Sequence, residues 1–338
     1  MTKILFISQK IWLRLGISLS IVVVALIIVY GETLRYGIGQ AKGQLFMIWN
    51  TRPVEEIIAD TNIPDSLKQK LKFIQEIRQY AQDSLGINPS ANYTTFYDQQ
   101  GKPLLWNVTA CEKYSLNAYQ WQFPILGKFS YKGFFDKNKA DEEYKKMETQ
   151  GYDVDIYEVS GWSTLGFLKD PILSNWLRYS EGKLANLIIH ELTHGTLYIK
   201  NDVGYNENLA SFVGDEGAKK FLVYKFGNDS PQLKQYLHEQ ADQKTFRNFV
   251  LQHTKVLDSL YKNVNHSEIE TQKQTFINNF IAALQKENFY NPRYYAYFDE
   301  EKPNNTFFMG FLRYYDRQEE FRAEFDTTFR KDFQSYML

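Results

Sequence analysis

The chain has 338 residues, 39 Lys and Arg against 40 Asp and Glu, a formal charge of −1, and 43% hydrophobic side chains. That length holds one large domain or two small ones with a full hydrophobic core. The charge balance excludes a strongly basic nucleic-acid binder and an acidic disordered chain, so no nucleic-acid partner is expected. A single cysteine, Cys111, excludes an intramolecular disulfide framework and a cysteine-cluster metal site.

From Leu15 to Tyr30 the chain reads LGISLSIVVVALIIVY, without a charge. At 1.5 Å per residue this run reaches about 24 Å, so flanking Trp12, Leu13 and Gly31 must help to cross a core of roughly 30 Å. Residues 12–31 are therefore expected to lie in a lipid bilayer as an uncleaved single-pass anchor. Lys3, Lys10 and Arg14 precede the run and should hold that end in the cytoplasm, placing the rest of the chain on the far side. A cleaved signal peptide has similar regions, but no small-x-small site follows closely and no lipobox cysteine exists.

Residues 37–60 read as a helix, a turn at Arg52-Pro53 and a second short helix. Pro64 to Leu85 carries Leu67, Leu71, Ile74, Ile77 and Ala81 at helical spacing. Between Asn92 and Ser160 the pattern turns to short β-rich pieces, interrupted by one helix over about Lys137 to Gln150. After Ser174 nearly everything reads helical. Helix-rich, strand-rich and helix-rich blocks describe an α+β protein rather than a βαβ alternation. The expected organisation is a cytoplasmic stub and anchor over 1–31, an α+β segment over 32–174, and a helical segment over 175–338. No glycine-rich phosphate loop follows a strand, so nucleotide binding has no local support.

The chemistry sits early in the last block, at His190-Glu191-Leu192-Thr193-His194. Residues i and i+4 share a helix face, so both histidines can point at one metal ion. Glu191 lies about 100° round the helix, where it can approach a metal-activated water without displacing a ligand. With 5 His in the chain, an accidental H-E-x-x-H is expected roughly 0.005 times. The competing reading is an ordinary buried helix with satisfied histidines.

A two-histidine site needs a third protein ligand to leave a single open position. No third histidine follows in the H-x-x-G-x-x-H pattern. A turn around Asn201, Asp202 and Gly204 would let a second helix fold back, and Glu207 in its first turn could then reach the metal. The spacing favours Glu207 over Glu216; the plain alternative is a charge suited to a helix N-terminus. Asp215 and Glu112 read as solvated surface charges, His238, His253 and His266 as surface residues, and Cys111 as a small buried hydrophobe.

H-E-x-x-H followed by Asn206-Glu207-x-x-Ala210 resembles the gluzincin metallopeptidases, including the zinc aminopeptidases. More specifically, the chain is similar to the predicted bacterial aminopeptidase family, a membrane-associated group of that clan. The similarity covers residues 43–58, 121–135, 163–174, 190–194, 206–217 and 303–316. It implies Zn2+ on His190, His194 and Glu207, with Glu191 as general base, acting on a peptide substrate. It implies a zincin, thermolysin-like fold with a small mixed sheet beside the H-E-x-x-H helix, and the bacterial inner membrane facing the periplasm as location. Gluzincin aminopeptidases stabilise the oxyanion with a tyrosine, for which Tyr314 or its neighbour Tyr315 is the candidate. The G-x-M-E-N segment, whose Glu holds the substrate amine in those enzymes, is not found here. An endopeptidase and a non-catalytic zinc-bearing membrane scaffold are the alternative functions. The strand PILGKFSYKGFF or the later STLGFL could offer an edge to an extended peptide.

Overall fold

The computed structural model describes residues 30–123, 127–159, 169–200, 202–315 and 317–337, apart from the side chains of 313–315. All but the last residue of the apolar Leu15–Tyr30 run lies outside them, as does the STLGFL segment. Among the described residues no helix is long and apolar enough to cross a membrane.

Helix α1 covers residues 30–49. Arg52–Pro53 is a short strand, β1, where the sequence reads as a turn. It pairs antiparallel with β2 (Thr95–Tyr97), Arg52 opposite Phe96, and β2 runs parallel to β8 (Ile172–Leu173). Proline is tolerated there because β1 is an edge that needs few donors. Helix α2 (Val54–Ala59) follows, and α3 (Asp65–Ser84) buries Leu71, Ile74, Ile77 and Ala81, the face marked by its spacing.

A second sheet is antiparallel, with β3 (Trp106–Glu112) between β6 (Lys132–Phe134) and β7 (Tyr152–Glu158). Asn107 through Cys111 are all buried rather than alternating. The cause is cover on both faces: α4 (Lys137–Thr149) and α9 (Asn305–Tyr315) each pack against β3. A two-stranded ribbon joins β4 (Trp121–Phe123) to β5 (Gly127–Phe129). PILGKFSYKGFF thus supplies β5 and the edge strand β6.

The remaining helices are α5 (Glu181–His194), α6 (Val203–Phe226), α7 (Pro231–Asn263), α8 (Ile269–Leu284), α10 (Gln318–Thr327) and α11 (Phe333–Met337). The largest core cluster joins the small mixed sheet to α5, bringing Phe96, Ile172 and Leu173 together with Leu184, Ile188 and Leu192. An aromatic cluster holds α7, α8 and α9 together through Phe249, Phe280 and Phe308. His253 belongs to it, which corrects its reading as a surface residue: half-buried, its ring lies 4.1 Å from that of Phe249, and Nδ1 faces the Phe249 carbonyl at 2.8 Å. His238 and His266 are exposed.

Candidate metal centre

Helix α5 starts cleanly because Ser180 accepts a bond from the Lys183 N–H and Glu181 suits the positive end of the helix. Its face of Leu184, Ala185, Ile188, Ile189 and Leu192 is buried. Helix α6 begins at Asp202, whose side chain accepts from the Tyr205 N–H at 2.9 Å. It packs back along α5 so closely that side chains would intervene at two points. A Cβ on Gly214 would lie 3.0 Å from the Asn186 carbonyl oxygen and 3.2 Å from His190 Cβ. One on Gly217 would come within 3.1 Å of Ile189 Cγ2. Glycine at both positions sets the distance between the helices, and that distance carries Glu207 to the histidines.

The result is a triad of ligand atoms. His190 Nε2 and His194 Nε2 lie 3.5 and 3.7 Å from Glu207 Oε2, and the ligand atoms of the three residues are all within 4.8 Å of one another. Contacts of this length are too long for a good hydrogen bond. They match instead the edge of a tetrahedron whose arms are about 2.0–2.1 Å, which is roughly 3.4 Å. The donor set therefore fits a divalent cation.

Electrostatics point the same way. Burial opposes ionisation of Glu207, but its contacts with the two imidazoles prevail and hold the carboxyl well below its usual range. Burial pulls the His190 imidazole down, yet Glu207, Glu191 and Asp215 together raise it above its ordinary value. Negative charge thus surrounds a pair of ring nitrogens. Glu191 is 8% exposed, and burial raises its carboxyl against the pull of the two histidines. Among the described residues, the buried Nδ1 of His194 has no acceptor.

A family model described as "Putative aminopeptidase" matches residues 35–337. The chain belongs to that family. Neither a curated protein nor a solved structure matches it. Membership in an aminopeptidase family points to a hydrolase acting on peptides.

Tyr314 lies on the α9 backbone, but its side chain, like that of Tyr315, falls outside the described residues. Glu112 is exposed and accepts from Ser115 Oγ and Asn117 Nδ2 in its own loop. Asp215 departs from the surface-charge reading. It is half-buried, accepts from Asn186 Nδ2 at 2.6 Å and is 3.4 Å from the Tyr236 hydroxyl. The reason is the glycine before it: at Gly214 the helices touch, so the next side chain is driven into α5 one turn before His190. Cys111 is buried, and burial pushes its thiol up to about 12, which removes it as a nucleophile.

Two supports of the site escape sequence reasoning. Asn206 is 2% exposed and uses both ends of its amide on one residue, accepting from the Ile199 N–H at 2.8 Å and donating to the Ile199 carbonyl at 2.7 Å. Asn208 accepts from the Arg317 N–H, and Gln318 donates to its carbonyl at 2.9 Å. Glu207 is thereby braced on both sides, by the α5–α6 connection and by the C-terminal helices. The Asn-Glu-Asn triplet was the available signal. Tyr93 gave none: it is fully buried against Trp176, sits at φ 61°, and has no hydrogen-bond partner for its hydroxyl among the described residues. Burial and the charges of Glu191 and Asp170 raise its phenol. A bulky residue at positive φ is uncommon and costs of order 1–3 kcal/mol, a strain found most often beside functional sites.

Proposed function

We propose that this chain is a zinc metallopeptidase of zincin type, removing residues from the amino end of peptides and anchored in a membrane by residues 12–31. The observation that carries the reading is the meeting of His190 Nε2, His194 Nε2 and Glu207 Oε2 around one point, with Glu191 buried on the same helix. His190, His194 and Glu207 would hold the ion and leave one position open. Bound zinc supplies Lewis acidity, acidifying water and polarising the scissile carbonyl. Glu191 takes a proton from water at its carboxylate during attack and passes it to the departing amide nitrogen. The basic residues before Leu15 support a location outside the cytoplasm, which for this reading is the periplasmic side of a bacterial inner membrane.

The test is a panel of matched peptides with free and acetylated N-termini, assayed on the full chain with and without a chelator. Chelator-sensitive hydrolysis confined to free N-termini is the expected result. Cleavage of both sets would make the enzyme an endopeptidase, and no chelator-sensitive cleavage of either would leave a scaffold.

A further inference from the structure

We infer that the outer face of α1 is a membrane-contact surface that seats the folded body on a phospholipid bilayer. The inference rests on the reading of residues 12–31 as a membrane anchor and extends it beyond those residues. Helix α1 is apolar on two opposite faces. The inner one packs on the second sheet and its ribbon: Tyr36 stacks on Phe123 at 5.3 Å and meets Phe134 edge-on at 5.5 Å, Gln40 donates to the Gly133 carbonyl, and Met47 is 1% exposed. The outer one carries Tyr30, Leu34, Ile38, Ala41, Leu45 and Trp49, all exposed, with Ile38 at 69% and Trp49 at 79%. At about 100° per residue these six fall within an arc of roughly 100°, centred nearly opposite the packed face.

A helix facing water carries polar side chains on that side. This one carries none in the stripe, which runs the length of a helix about 30 Å long. Arg35 and Lys42, both exposed, border it along one edge, where they would meet lipid phosphates. Glu32, the helix's acid, turns away and pairs with Lys146 at 2.8 Å. The charge-free run ends at Tyr30, the first residue of the stripe, so the stripe follows the proposed anchor directly along the chain. Trp, Tyr and Leu beside a basic border are the composition of a helix lying in the interface. A second copy is the poorer occupant. The intervals along the stripe are 4, 4, 3, 4 and 4, averaging about 3.8 residues, whereas a left-handed coiled coil needs about 3.5.

The test uses the full chain in vesicles of phosphatidylcholine and phosphatidylglycerol containing a spin-labelled lipid. Cys111 is fully buried and serves as an unlabelled background. A fluorophore is attached in separate proteins at Val23→Cys in the proposed anchor, at Ile38→Cys and Leu45→Cys in the stripe, and at Lys262→Cys as a surface control. Labels at 23, 38 and 45 should all be quenched, those in the stripe at least about twofold more than the control, as for groups sunk in the headgroup boundary. Quenching at 23 but not at 38 and 45 overturns the contact surface and leaves the anchor standing. No quenching at 23 removes the anchor and the contact surface with it. Stripe labels shielded from the lipid quencher, with disulfide cross-linking between copies at position 45, would assign the face to a dimer.

Discussion

Gly214→Ala isolates the contact that sets the spacing between His190 and Glu207. The added methyl would sit 3.0 Å from the Asn186 carbonyl oxygen and 3.2 Å from His190 Cβ, each several tenths of an ångström inside ordinary contact. Neither neighbour can swing away, since one is helix backbone and the other a Cβ fixed to it. The helices must separate, and the 3.5 Å span from His190 to Glu207 must lengthen with them. Overpacking of this kind costs about 1–3 kcal/mol. Replacing Gly by Ala inside a helix returns about 1 kcal/mol, so the metal-free protein should lose only about 0–2 kcal/mol. Metal ligation tolerates errors of about 0.2 Å, so zinc affinity should fall by at least about tenfold. Calorimetry of the chelated protein and competition with a chromogenic chelator measure the two effects separately. Gly310→Ala in α9 is the control, because among the described residues a Cβ there meets nothing within 4 Å. It should stabilise by up to about 1 kcal/mol and leave zinc binding unchanged. Gly214→Ala protein that is stabilised in the same way and binds zinc as tightly as the parent would refute the argument.

Glu191→Gln should keep zinc and fold while peptide hydrolysis falls roughly 10²–10⁴-fold, because the amide cannot accept a proton at neutral pH; undiminished turnover would sink the assignment. Glu207→Ala should lose its zinc on dialysis, read by elemental analysis, and full occupancy would remove Glu207 from the ligand set. Asn206→Ala removes two hydrogen bonds to Ile199, a residue 44% exposed whose carbonyl still accepts from the Asp202 N–H, and should cost about 1–2 kcal/mol in denaturant unfolding; no measurable loss would show that the bracing is weak. Glu216 accepts from Lys219 and Arg322, and although burial opposes it these cations hold its carboxyl below the ordinary 4.5. A lowered folded-state pKa stabilises above the unfolded value and is lost as pH falls through the folded one. The stability gap between the parent and Glu216→Gln should therefore be full above pH 4.5 and close in more acid solution; a constant gap would contradict the ion-pair account.

Spacing alone was enough to place His190, Glu191 and His194, because an i, i+4 pair on a helix shares a face whatever surrounds it. The buried face of α3 was legible for the same reason. These are local properties, fixed within a few turns of backbone. Glu207 was legible only as a candidate: the chain shows a turn and a carboxylate, but whether the second helix closes on the first depends on Gly214 and Gly217 meeting Asn186, His190 and Ile189 across the interface. The same approach buries Asp215, which by sequence is one more acid on a helix. Arg52-Pro53 looks like a turn until Thr95 and Phe96, some forty residues on, arrive to pair with it. His253 looks like a surface residue until Phe249 and Phe280 close around it. Tyr93 had no signal at all, since its φ and its burial are imposed by Trp176 and the Asp170 backbone, whose carbonyl accepts from the Tyr93 N–H at 2.6 Å. Sequence by itself determined what repeats along one helix. What depends on how closely two backbones approach was decided only by the tertiary structure, because that distance is set by side chains far apart in the chain.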